Sequence, residues 1–134
     1  MRMILPLMTA SILASSGMAS ALPPLREVKS INDGLFAVAV ADQIRKECSG
    51  ISARMFRALN YINTLENHAL ELGYSKKEIK AYVKSKEEKA RMRARGEAYL
   101  KANGASYAEP DTFCNLGRAE IAKGSRIGQL LRAK

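Results

Sequence analysis

Leu35-Phe36-Ala37-Val38-Ala39-Val40-Ala41 is apolar on every side. A helix with no polar face has to be surrounded, so this run marks the central, buried element of the fold. Ser30, Asn32 and Asp33 stand before it, and each can accept from the free N–H groups of a first turn. Ser49-Gly50 ends it. The reading is a first helix over about Asn32 to Glu47, closing just before Cys48.

Working outward, Ile51, Met55, Ala58, Ile62, Leu65, Ala69 and Leu72 recur at steps of three and four. They predict a second helix from about Ile51 to Leu72, with Gly73 closing it. Ser75-Lys76-Lys77-Glu78 is a capping box, in which the hydroxyl and the carboxylate each satisfy a free N–H. It opens a third helix expected to reach Ala102, with Gly104 as its stop. This helix carries ten cations (Lys76, Lys77, Lys80, Lys84, Lys86, Lys89, Arg91, Arg93, Arg95, Lys101) against four acids. Its apolar stripe is thin: Ile79, Val83, Ala90, Ala94 and Ala98. Pro110 breaks the chain, Asp111 caps, and a fourth helix follows over about Thr112 to Lys123. No alternating strand pattern is present. The expected fold is all-α: a small bundle of about four helices, with residues 22–30 as an extended lead-in and 125–134 as a C-terminal tail.

The chain has 134 residues and a net charge of +9. Its start reads as an export signal. Met1-Arg2 is positive, Met3 to Ala14 is mostly apolar, and Ala19-Ser20-Ala21 offers the small residues a signal peptidase admits. Cleavage is expected after Ala21, leaving one helical domain over 22–134 in the periplasm. The apolar run is too short for an anchor, since a span needs roughly 20 apolar residues. In a cytosolic chain this charge would point first to nucleic acid. An exported chain meets little of it, and helix-turn-helix spacing and a Gly-rich phosphate loop are missing. Acidic faces of other proteins or an anionic membrane surface suit the charge better.

Cys48 and Cys114 are the two cysteines. An oxidising compartment and an even count make them a structural disulfide. It joins the first helix to the fourth and closes a loop of about 65 residues, worth roughly 4 kcal/mol by chain entropy. Two cysteines and the single His68 are too few for a metal site. His68 has no nucleophile or carboxylate arranged around it and reads as structural. Asp42 falls on the buried side of the first helix and calls for a partner, Arg54 or Arg118. No catalytic residue, cofactor or metal ligand is expected. The best candidate for function is the cationic third helix: Lys84, Arg91, Arg93 and Arg95, with Tyr82 and Tyr99 as interface aromatics. Gly117, Gly124 and Gly128 each weaken a helix unless they permit close backbone approach, either of the tail on the first helix or of a partner.

Ala41-Asp42-Gln43-Ile44-Arg45-Lys46-Glu47-Cys48, Ile51-Ser52-Ala53-Arg54 and the Cys114 segment ending Ile127-Gly128-Gln129-Leu130-Leu131-Arg132 resemble an alphaproteobacterial family catalogued as domain of unknown function 5333. The resemblance spans nearly the whole chain after the signal and brings no enzymatic motif or assigned residue. It implies an accessory or assembly role beside respiratory complex I, on the periplasmic side of that membrane. The expectation is a non-enzymatic periplasmic module that binds a protein partner. The alternative is a chaperone-like or anionic-lipid-surface-binding protein.

Overall fold

The computed structural model describes residues 21–134. The export-signal reading of residues 1–21 falls, Ala21 excepted, outside the described residues. Among the described residues there are six α-helices and one two-stranded sheet, where about four helices and no strand were expected.

A single 3-10 turn, Leu25–Glu27, leads straight into α1, Lys29–Glu47. The lead-in is therefore shorter and less extended than 22–30. Val28 holds the capping position without a side-chain bond. Asn32 points backward instead, its amide donating to the carbonyls of Leu25 and Val28 at 2.7 and 2.8 Å. That satisfies the turn feeding the helix, where a free carbonyl would otherwise be left. From Ile31 to Arg45 no residue is fully exposed, and α1 touches most of the other elements, as its all-round apolar run requires.

Ile51 does not open the second helix. It lies in β1, Ile51–Ala53, which pairs antiparallel with β2, Leu131–Ala133, with Ser52 opposite Arg132. Strands of three residues are too short to show an alternation. The next helix, α2, begins later and covers Met55–Glu71. Its expected stripe is only partly covered: Leu65 and Ala69 are buried, while Met55, Ile62 and Leu72 are exposed.

The long third helix is two. α3 covers Lys76–Lys84, opened by the capping box of Ser75 and Glu78. α4 covers Lys86–Ala102. Between them Ser85 is extended, at ψ 123°, and its hydroxyl accepts from the Glu88 amide at 3.2 Å. This break resets the helical phase. Ala90, Ala94 and Ala98 face solvent, and Met92, Gly96, Tyr99 and Leu100 turn inward instead.

α5, Asp111–Lys123, matches the expected fourth helix, but Asp111 is its first helical residue rather than its cap: Pro110 holds that position without a side-chain bond, and Gly124 closes the helix in the left-handed conformation. The Cys48–Cys114 disulfide is present and joins the end of α1 to the first turns of α5. It reaches the fifth helix rather than the fourth because Ser85 divides the third. Residues 125–134, expected as a C-terminal tail, are packed into the fold. They form α6, Arg126–Gln129, and then β2. Ile127, Leu130 and Leu131 join Val40, Ile44, Ile51 and Phe113 in the main core. A second small cluster of Leu25, Ile31, Ala69 and Tyr74 closes the other end.

Candidate functional site

The cationic stretch from Lys76 to Lys101 divides into held and free charges. Arg95 donates to Asp33 on α1 at 2.7 Å and lies over the Phe36 ring, 4.2 Å from its centre. Arg91 meets Glu88 at 3.1 Å. Lys84 and Arg93 are exposed and, among the described residues, have no acid within ion-pair distance. The six candidate residues are thus not one face. Arg95 bridges to α1, Arg91 pairs within its own helix, and Lys84 and Arg93 stand free of acids among the described residues.

The two tyrosines also turn inward. Tyr82 donates its hydroxyl to the Asn32 side chain, and burial pushes its pKa up. Tyr99 stacks edge-on against Phe36, with ring centres 5.3 Å apart, and donates to the carboxylate of Glu120. Neither ring fronts solvent as an interface aromatic would.

Glu120 carries no signal as a site, yet among the described residues it is the one charged side chain in the core, with no exposed surface. Its position was readable as part of the stripe Phe113, Leu116, Gly117, Glu120 on α5. The carboxylate accepts from Tyr99 and Ser125 and pairs with Lys123 at 3.1 Å. Burial opposes its charge, but the hydrogen bonds from Ser125, Tyr99 and Lys123 outweigh burial and hold its pKa below the usual carboxylate value. Both carboxylate oxygens have partners, which is the pattern of a structural lock between α4, α5 and α6.

Asp42 pairs within its own helix, with Arg45 at 2.6 Å and Lys46 at 2.8 Å. Arg54 and Arg118 do not reach it. Arg54 donates instead to the Leu131 carbonyl at 3.0 Å and helps fix the C-terminal strand. His68 is half-buried and shares a hydrogen bond with Ser30 at 3.0 Å. Among the described residues, no group of three or more His, Cys, Asp or Glu side chains is placed to hold a metal ion. Also among them, no helix is long and apolar enough to cross a membrane.

The strongest concave feature is a cleft that sequence reasoning missed. α1 forms its floor, α2 one wall, and α3 with the start of α4 the other. Two cavities, of about 370 and 580 Å³, share Leu35, Ile62, Tyr82 and Val83 as lining. On the lip, Met55, Leu59 and Val83 are about half exposed. The signal was in the sequence: the α2 stripe has more apolar positions than this fold covers.

Against known proteins, residues 23–132 match the profile of a family described as "Family of unknown function (DUF5333)". No curated protein and no solved structure matches the chain.

Proposed function

This chain belongs to the family of unknown function DUF5333, and we propose that it is an exported, non-enzymatic module that docks onto an acidic partner protein in the periplasm. One observation carries the reading. Of the ten cations from Lys76 to Lys101, only Arg91 and Arg95 meet an acid among the described residues. Uncompensated charge of one sign raises association rates and sets partner choice more than it stabilises a fold. The disulfide fits an oxidising compartment. A respiratory membrane complex is the partner that the family resemblance implies.

The test is recovery of the partner. The protein is tagged after the exposed Lys134, crosslinked lightly, and isolated from gently solubilised membranes. The reading requires one complex in stoichiometric amount, released by high salt and lost in a Lys84→Glu, Arg93→Glu double variant. Recovery that ignores both salt and the reversal would refute it.

A second reading has its own observation. Phe56 on α2 is 86% exposed beside Met55 and Leu59, an apolar surface that suits a chaperone-like protein or one that rests on anionic lipid. It requires suppressed aggregation of unrelated clients, or binding to anionic but not neutral vesicles.

A further inference from the structure

We propose that the cleft between α2 and α3–α4 is a binding site for a free long-chain fatty acid. The acyl chain runs along α1, and the carboxylate sits at Lys76, Lys77 and Lys80. This inference rests on the cleft alone and stands apart from the docking of a protein partner.

The shape comes first. Four residues line both cavities, so the two adjoin along α1, and we treat them as the two halves of one cleft. Their volumes lie within the range of small-molecule sites, about 300 to 1,000 Å³. Along α1 the apolar floor of the cleft extends from Ile31 to Asp42, with Arg45 lining it beyond that end. At about 1.5 Å per residue this is roughly 16 Å of helix, the scale of a long acyl chain. Between those ends the floor is Leu35, Val38, Ala39 and Ala41. It offers no hydrogen-bonding side chain, which suits a ligand without polar atoms along its length. An extended peptide would bring backbone amides that such a floor cannot satisfy.

Charge then sets the direction. At the α1–α4 end the lining charges balance, Asp42 and Glu88 against Arg45 and Lys89, and both acids are already paired: Asp42 with Arg45 and Lys46, Glu88 with Arg26 and Arg91. The Tyr82 hydroxyl is committed to Asn32. At the α3 end, Lys76, Lys77 and Lys80 line the cavity with Glu66 as the acid among them. None of the three lysines has an acid within ion-pair distance among the described residues. That end is net positive and open to water, where an anionic head keeps its hydration while the tail is buried. A second copy of this chain is a poor occupant, because it brings the same cationic walls and a like net charge of +9.

The experiment is calorimetric titration of the delipidated, disulfide-bonded protein with palmitate, and with octanoate as the short-chain control. The proposal requires saturable one-to-one binding of palmitate, at least tenfold weaker for octanoate, because each methylene left unburied loses transfer free energy. Val83 is exposed at the waist of the cleft, so Val83→Glu leaves the fold intact by circular dichroism and abolishes binding. A triple Lys76→Glu, Lys77→Glu, Lys80→Glu variant weakens palmitate at least tenfold. Among the described residues Phe56 is the most exposed large apolar side chain, yet it does not line the cleft, so Phe56→Ser leaves binding unchanged. Three results would overturn the proposal. One is the absence of saturable palmitate binding. Another is equal binding in Val83→Glu. The third is a doubled mass in sedimentation that Val83→Glu halves, since the cleft would then be covered by a second copy.

Discussion

Gly128 lies flat against the backbone of Glu120: a β-carbon on Gly128 would stand 2.0 Å from the Glu120 carbonyl oxygen and 2.6 Å from the Ile121 nitrogen. Both obstacles are main chain, which cannot turn aside as a side chain can. The contact brings α6 down onto α5 and sets the course of the strand that follows. Gly128→Ala should therefore cost about 3 kcal/mol, the upper range for overpacking. Gly104→Ala is the contrast, since a β-carbon there meets nothing within 4 Å and pays only for its positive φ of 82°. That penalty is roughly 1 kcal/mol. Urea midpoints for the two variants give the ranking, and a larger loss in Gly104→Ala would refute it.

Cys48 is fully buried at the end of α1, and its bond to Cys114 spans 66 residues of sequence. The link limits the unfolded chain, so its loss should lower stability by roughly 4 kcal/mol. Cys48→Ser, Cys114→Ser and the reduced wild type should melt together, all well below the oxidised protein. Thermal unfolding with and without reductant tests this. Unchanged melting on reduction would mean that packing alone holds α5 to α1.

The carboxylate of Glu120 makes the fold sensitive to acid. Its folded pKa is depressed, so its contribution is present above the unfolded value near pH 4 and is lost as pH falls through the folded one. Asp33, bonded to Lys29 and Arg95, acts in the same direction. At the other limit, burial and the bond to Glu120 push the Tyr99 pKa up to about 12, and burial and Glu97 do the same for Tyr107. The folded state keeps those protons, so their contribution is present below about pH 10 and is lost as pH rises through the folded values. The melting temperature should be level between these limits and fall beyond each. Glu120→Gln should lower it at neutral pH and flatten the acid limb. An acid limb of unchanged slope in that variant would assign the effect to other carboxylates.

How much of this was legible in the sequence depends on the range of the interaction. The α1 core run, the Ser75–Glu78 capping box and the Pro110–Asp111 boundary are local signals, and each appears where its residues place it. The Ser85 break had the same kind of signal, since Ser85-Lys86-Glu87-Glu88 repeats the Ser-x-x-Glu pattern. The continuous helical pattern of the charged stretch around it masks that signal. The pairing of Ile51–Ala53 with Leu131–Ala133 has no local signal, because it joins segments some eighty residues apart. The cleft shares that cause: the α2 stripe shows an apolar face, while its incomplete cover is a property of where α3 and α4 settle. The candidate cations divide for the same reason, since Asp33 and Phe36 reach Arg95 only across the fold.

That division can be measured. Arg93 and Arg95 are neighbours on α4 with the same side chain, but only Arg95 bridges to α1. Besides a long hydrogen bond to the Asn32 carbonyl, at 3.3 Å, it makes an ion pair with half-exposed Asp33 and stacks on Phe36, the last two each worth roughly 0.5 to 1 kcal/mol. Arg95→Ala should lower stability by about 1 kcal/mol, and less in high salt, which screens the ion pair but leaves the stacking. Arg93→Ala should leave stability within about 0.5 kcal/mol of wild type. For partner docking the order reverses, because the free charge of Arg93 is available and that of Arg95 is engaged. Chemical unfolding of both variants beside partner recovery separates the two roles. Equal stability losses at the two positions would mean that the α4 cations act as one field, and the assignment of Arg95 to packing would fall.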